Sequence, residues 1–461
     1  MHCNCCSDQS YFDEGPQELC CVIMALPPHF RERFSGKPAP QTQALESFFF
    51  FGPPGAGKSY CANNCAAEMG GNGLILTPTI ALKLEANAKG LVAETIQSAV
   101  LRGTLKYKIG SKRPGGRPRW TVPTFLICSE IFQWSKADMD RCIAMARDLG
   151  GGTRIIMDGD PYQHGAVCQN QASSSQAELL QRNAKRHYCT RKKCYCEPVI
   201  ASAGLMKLMR AGKVTFLRKN YRLKNRDVLR VIDEFLKIGN PRVGRSDARG
   251  AIERMIERNY VPLEKMPDSP DVVRVTYTHK EILRHTTNYY KKMGIPYDVE
   301  SALAVGCAAT CTVTLRDSRG KYICYNGMPV TVVGFKKDAV TVSADPDGDD
   351  EDAVAAALLE GSGGDMKTFD VPRKVATNVR PIIPTFVQTS YFVQGKTLDR
   401  VCVILDGAIP LESLYVMATR SDNTIFTSSN IARFFSRLFS EPFSYDHAVL
   451  KTFWERCARN E

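Results

Sequence analysis

The residues Gly52-Pro53-Pro54-Gly55-Ala56-Gly57-Lys58-Ser59 fit the pattern G-x-x-x-x-G-K-[ST], a spacing suited to gripping a triphosphate. Glycines let backbone N–H groups turn inward onto phosphate oxygens. A following helix presents its positive end to the same anion. Lys58 then reaches the β- and γ-phosphates, and the Ser59 hydroxyl ligates Mg²⁺. The run Gly52 through Ser59 is the expected ATP-binding loop. Its setting argues against a Gly-rich turn with an incidental lysine. The apolar stretch Ser47–Phe51 (SFFFF), a buried-strand candidate, precedes it, and a helix candidate from Lys58 to Met69 follows.

Holding such a loop requires a rigid sheet. Leu74–Thr77, Phe125–Cys128 and Ile155–Asp158 read as further short strands, each followed by a polar loop. Gly70-Gly71 ends the first helix, and Asp138–Leu149 reads as another, closed by glycines. Strand, loop and helix in alternation imply an α/β fold whose parallel sheet is covered on both faces. Its ligand belongs at the carboxyl ends of the strands, where the polar loops fall. A second α/β region is expected from Val214, with strands at Val272–Thr276 and Val401–Leu405. Between them, Cys311–Ser343 holds β-rich pieces (CTVTL, KYICY, PVTVVGF, AVTVS) separated by turn residues, which predict a small β-barrel.

The expected division is therefore a Cys-rich segment over 1–39, a first domain over 40–213 and a second over 214–461. The first carries a basic, Cys-containing insertion at 169–198. The second carries the barrel insertion at 305–380, including an acidic Gly- and Asp-rich loop at 345–365.

The formal charge of +13, from 61 Lys and Arg against 48 Asp and Glu, suits a polyanionic partner such as nucleic acid. Apolar runs all fall short of the roughly 18 residues needed to cross a bilayer. The start, Met1 to Glu14, lacks the basic-then-apolar order of a secretory signal, so the expectation is cytosol or nucleus, with no membrane partner. Eighteen cysteines in that setting read as reduced thiols or metal ligands. Zinc suits His187, Cys189, Cys194 and Cys196, but their spacing matches no common finger and free thiols are the alternative; His2, Cys3, Cys5, Cys6, Cys20 and Cys21 could ligate metal too, in a segment short for a zinc module. Lys106–Arg119 (KYKIGSKRPGGRPR) is either a phosphate-contacting loop or a solvated one.

Across most of residues 40–430 the order of short segments resembles superfamily 1 helicases of the RecD-like, viral type. Leu76–Thr79 (LTPT) is similar to the family's strand-contacting Thr-Pro-Thr element, and Ala93–Ser98 (AETIQS) to the Thr-containing element that follows. Met157–Gln163 (MDGDPYQ) resembles motif III, which implies that Gln163 senses the γ-phosphate. Phe216–Arg222 (FLRKNYR) resembles motif IV, which implies that Arg222 reaches the nucleotide from the second domain. Tyr325–Gly327 (YNG) with the following PVTVVGF is similar to the family's inserted barrel. Thr389–Thr397 (TSYFVQGKT) resembles motif V, matching Gln394 and Gly395, and Tyr415–Arg420 (YVMATR) resembles motif VI, with Arg420 as its arginine finger. The implied architecture is two tandem RecA-like P-loop domains with ATP between them and Mg²⁺ as cofactor. The implied activity is ATP hydrolysis coupled to movement on single-stranded nucleic acid, with DNA favoured.

Two departures stand out. At the motif II position, Ile127-Cys128-Ser129-Glu130, Glu130 matches the general base, but Ser129 replaces the aspartate that normally holds the Mg²⁺ shell. A hydroxyl can bond a metal-bound water without bringing charge, so weaker Mg²⁺ binding is expected. In motif V, Tyr391-Phe392-Val393 stands where relatives carry His-Lys, so Phe392 either stacks on a base or packs in the core. The divergent motifs are similar in style to the helicase subunit of herpesvirus-type helicase–primases, which implies a primase, an accessory subunit and the host nucleus. Two other readings stay open: a viral RNA helicase or NTPase, and a nucleic-acid-binding subunit that binds ATP without hydrolysing it.

Overall fold

The computed structural model describes residues 45–109, 119–150, 152–165, 199–240, 246–316, 322–344, 368–373, 380–407, 409–440 and 453–455. The segment 1–39, the insertion 169–198 with His187, Cys189, Cys194 and Cys196, and the acidic loop 345–365 lie outside them. So does most of the basic loop at 106–119.

The chain's first described strand, β1 (Ser47–Phe51), is buried along its whole length, as five bulky or small groups without a charge allow. Around it, β2 (Gly73–Thr77), β3 (Ala93–Thr95), β6 (Phe125–Cys128), β7 (Arg154–Gly159) and β8 (Lys213–Phe216) form a parallel sheet ordered β3-β2-β6-β7-β1-β8. A separate hairpin, β4 (Tyr107–Ile109) with β5 (Arg119–Thr121), leaves the sheet between β3 and β6. Alternation sorts the side chains. Phe48, Phe50, Ile75, Ile127 and Ile156 pack against α1 (Lys58–Met69), whose small Cys61, Ala62, Cys65 and Ala66 let it sit close. Phe49, Phe51, Leu74, Leu76, Leu126 and Met157 face the larger core on the opposite side. Helices α2 (Ile80–Ala88), α3 (Ile96–Arg102), α4 (Lys136–Asp148) and α5 (Ala203–Ala211) complete the layers. Ser135 caps α4 through the Asp138 amide, so that helix begins two residues before the position read from sequence.

The boundary expected at 213/214 is corrected. It cuts into β8, which runs parallel to β1 at the edge of the first sheet, with the Leu217 amide donating to the Phe51 carbonyl at 2.7 Å. Four half-buried residues, KVTF, resemble the start of any strand, and only pairing with β1 assigns them to the first sheet.

Beyond α6 (Arg226–Leu236) and α7 (Ala248–Arg258), a second parallel sheet is ordered β17-β9-β18-β19. Its strands are β9 (Val273–Thr276), β17 (Val387–Thr389), β18 (Arg400–Ile404) and β19 (Asn423–Thr427), with helices α8 (His279–Met293), α9 (Ser390–Val393), α10 (Leu411–Ala418) and α11 (Ile431–Ser440). Between β9 and β17 the chain builds the expected all-β insertion. Strands β10 (Ala308–Cys311), β13 (Pro329–Phe335), β14 (Ala339–Ala344), β15 (Thr368–Pro372) and β16 (Ile382–Pro384) form an antiparallel sheet ordered β15-β14-β13-β10-β16. A two-stranded ribbon, β11 (Leu315–Arg316) with β12 (Tyr322–Cys324), accompanies it. Among the described residues β15 and β16 are not paired with each other, so closure into the expected barrel is not shown there. Alternating apolar residues report a half-buried sheet equally well whether it closes or not.

Candidate nucleotide-binding site

β1 ends where Gly52 begins, and the Gly52 amide donates to the Gly159 carbonyl at 3.2 Å, tying the loop to the end of β7. Gly55 and Gly57 have φ of 79° and 80°, left-handed values that side chains resist. At Gly55 space also matters, because a Cβ there would lie 2.5 Å from Asn220 Oδ1 and 2.9 Å from Arg222 Cβ. The loop is clasped by the segment leaving β8. Asn220 Nδ2 donates to the Pro54 carbonyl at 2.6 Å, and the Tyr221 amide donates to the Gly55 carbonyl at 2.9 Å. Gly57 offers α1 no side-chain cap, and the helix's first turn holds no acidic residue, so its amide end suits an anion. Lys58 is buried and donates to the Pro53 carbonyl at 3.0 Å, while Ser59 is exposed.

Next along the sheet edge stand Ser129 and Glu130 after β6, and Asp158 on β7. Ser129 Oγ donates to Asp158 Oδ1 at 3.3 Å, and the Glu130 amide donates to the same oxygen at 2.8 Å. Glu130 has a φ of 50°, a left-handed value rare for a residue with a side chain and characteristic of functional positions. Burial, with the neighbouring Glu130 charge, pushes the Asp158 carboxyl up to about 7, while Lys58 pulls the other way. Burial likewise raises Asp160 to about 6. Neither aspartate was singled out from sequence, where motif III pointed to Gln163. An acid closing a strand that must be buried was the available signal.

Gln163 Nε2 donates to Asp160 Oδ2 at 3.2 Å, while its buried Oε1 has no partner. Asp160 Oδ2 also accepts the Tyr415 hydroxyl at 3.0 Å, a bond that crosses to α10 in the second unit. Arg222 sits on the segment leaving β8, and so belongs to the first sheet's own chain continuation, not to the second domain as expected. It reaches across instead, its Nη1 donating to Thr397 Oγ1 at 2.7 Å, with Nε and Nη2 buried and unpartnered. Arg420 is buried and bonds only neutral groups: the Val416 and Lys396 carbonyls at 2.9 and 3.4 Å and Thr419 Oγ1 at 3.1 Å. Burial, then the adjacent Arg222 charge, lowers its pKa to about 10, with Glu130 and Asp160 acting in opposition.

Gln394 Nε2 donates to the His164 carbonyl at 3.4 Å, and Gly395, with φ 83°, is exposed. The departure in motif V resolves into two contacts. Tyr391 stacks on buried His164, centroids 3.8 Å apart, and Lys396 Nζ stands 3.9 Å over the half-buried Phe392 ring. The structure thus gathers Lys58, Glu130, Gln163, Arg222 and Arg420 around one loop, at the seam of the two sheets. Its donors fit a phosphate chain, and the oxygens of Ser59, Ser129 and Asp158 are the hard ligands that suit Mg²⁺.

Residues 43–234 match the family described as AAA domain. The Pif1 helicase from Bacteroides, solved with ADP-AlF3 and ssDNA, is similar at 15% identity and a TM-score of 0.53, covering 98% of each chain. The Pif1 helicase from Candida albicans is similar at 14% identity and a TM-score of 0.50, covering 96% of this chain and 100% of its own. The comparison with curated proteins gives no match. At these identities the likeness is one of fold, the mixed α/β P-loop architecture of the Pif1 helicases.

Proposed function

We propose that this chain is an ATP-hydrolysing helicase or translocase of superfamily 1 that moves along single-stranded nucleic acid, DNA in preference to RNA. One observation carries the reading. Two guanidiniums without a carboxylate partner among the described residues, Arg222 and Arg420, converge beside the phosphate loop at a seam between two sheets. Cations held in a low-dielectric seam stabilise charge that spreads over a transferring phosphoryl group. Because Arg420 belongs to the second unit, hydrolysis then depends on how the units meet, which is how an ATPase becomes a motor. Lys58 grips the phosphates and Glu130 orients the attacking water. Gln163 reports the γ-phosphate to Asp160 and, through Tyr415, to α10. When bound, Mg²⁺ neutralises charge on the β- and γ-phosphates.

The charge of +13 supports a polyanionic track, and the similar Pif1 helicase from Bacteroides was solved in complex with ssDNA. A role in viral genome replication, with a primase and accessory subunit in the host nucleus, rests on the style of the motifs. ATPase rates with and without oligo-dT or oligo-U, for the wild type, Lys58→Ala and Glu130→Gln, test the proposal. DNA-stimulated turnover that both substitutions abolish is expected. Stimulation by RNA alone would favour an RNA helicase. Absence of strand stimulation at every Mg²⁺ concentration would leave a binding subunit.

A further inference from the structure

The geometry points to Asp158 as the carboxylate that holds the Mg²⁺ shell in this chain, displaced by one strand from the position where Ser129 stands. The inference rests on the nucleotide-binding reading above and deepens it.

Three independent features place Asp158 there. The first is register. β6 and β7 run parallel with Ile127 opposite Ile156 and Cys128 opposite Met157, so continuing one step sets Ser129 opposite Asp158. The second is facing. Ile127, Ile156 and Phe50 all pack against α1, and strand alternation puts Ser129 and Asp158 on that same side, toward the helix whose first residue is Lys58. The P-loop itself starts one residue away, through the bond from the Gly52 amide to the Gly159 carbonyl. The third is partnership. Asp158 is 1% exposed yet makes no ion pair among the described residues, accepting only from Ser129 Oγ and the Glu130 amide. A buried carboxylate with two neutral donors keeps lone pairs for a cation's water shell. Separately, the buried Oε1 of Gln163 has no protein partner among the described residues, a second polar oxygen at the same edge.

The substitution at Ser129 therefore relocates the acidic ligand and does not delete it. Ser129 becomes a positioning residue, its hydroxyl donating to Asp158 and orienting it, as groups behind a metal ligand do. Glu130 stays free to act on water, its backbone amide anchored on the same carboxylate. A further consequence reverses the simplest repair. Ser129→Asp alone would set two carboxylates in hydrogen-bond contact without restoring anything lost.

The test measures binding of a fluorescent (mant) ADP as Mg²⁺ is titrated, and in EDTA, with no turnover involved. Asp158→Asn is expected to raise the Mg²⁺ concentration for half-maximal tight binding by about tenfold or more. Its affinity in EDTA should match the wild type. The exchanged chain, Ser129→Asp with Asp158→Ser, returns the carboxylate to the end of β6 and is expected to restore the wild-type Mg²⁺ dependence. It also covers the case in which Asp158→Asn does not fold, as judged by circular dichroism. Wild-type Mg²⁺ dependence in Asp158→Asn, or no recovery in a folded exchanged chain, would overturn the inference alone. A wild type that binds no mant-ADP at any Mg²⁺ level would overturn the nucleotide reading beneath it.

Discussion

Asp160 shows how a single buried carboxyl joins chemistry to stability. It accepts the Tyr162 amide at 2.9 Å and the Tyr415 hydroxyl at 3.0 Å, and it is wholly buried, which raises its pKa from 3.8 to about 6. The folded chain therefore holds this proton more tightly than the unfolded one. Its contribution to stability is complete below 3.8 and is lost as pH rises through about 6. In Asp160→Asn that loss disappears, with the amide oxygen still accepting from Tyr162. Thermal or urea melts between pH 4 and 7 should show the fall in stability shrinking by on the order of 1–3 kcal/mol relative to the wild type. An unchanged profile would mean that Asp160 ionises freely. His164 adds the opposite dependence, because burial lowers its pKa to about 3, so its contribution is complete above the ordinary 6.5 and is lost as pH falls toward 3. Asp160→Asn leaves that component in place, so the two can be told apart.

At the scale of elements, the phosphate loop is held by its neighbours as much as by its own glycines. Gly55 and Gly57 share the left-handed backbone, yet a Cβ at Gly57 meets nothing within 4 Å while one at Gly55 runs into Asn220 and Arg222. Gly57→Ala should cost about 1–2 kcal/mol, the strain of the conformation alone. Gly55→Ala should cost more and should push the 220–222 segment off the loop, since Asn220 also holds Pro54. Paired melts and mant-ADP titrations check this, and equal losses in the two variants would refute the clasp. Much at this scale was legible. The apolar run, the loop and the helix from Lys58 to Met69 are adjacent in the chain, so local signals suffice, and the structure reproduces the helix bounds. Strand β8 was not legible, because its membership depends on pairing with β1, over 160 residues earlier.

At the scale of the whole molecule, the two sheets meet through specific polar contacts. Asp422 accepts the Lys224 and Asn225 amides at 2.8 and 2.9 Å, Thr397 accepts Arg222, and Asp160 accepts Tyr415. Arg420 stands inside this seam with backbone carbonyls and a hydroxyl for partners. Arg420→Ala is expected to lower strand-stimulated hydrolysis by about a thousandfold or more while mant-ADP affinity changes little, because the arginine acts on transition-state charge. A loss of nucleotide affinity as large as the loss of rate would assign Arg420 to ground-state binding. The basic surplus belongs to this scale as well. Affinity for oligo-dT, read by anisotropy, should fall on the order of tenfold or more between 50 and 200 mM salt, as released counterions require for a few phosphate contacts. A flat salt response would remove the electrostatic track.

The amino-acid order by itself determined whatever depends on near neighbours: the triphosphate loop with Lys58, the strand and helix flanking it, and the α/β alternation, while the resemblance to helicase motifs pointed to Glu130, Gln163, Arg222 and Arg420. Such signals are written within a few residues of where they act. Tertiary structure decided what depends on register and on distant partners. It put β8 in the first sheet, drew Arg222 and Arg420 together, and set Asp158 beside Ser129. The physical reason is that strand pairing brings residues 128 and 157 into register with no trace in the intervening chain, so a carboxylate can change strands and keep its place in space.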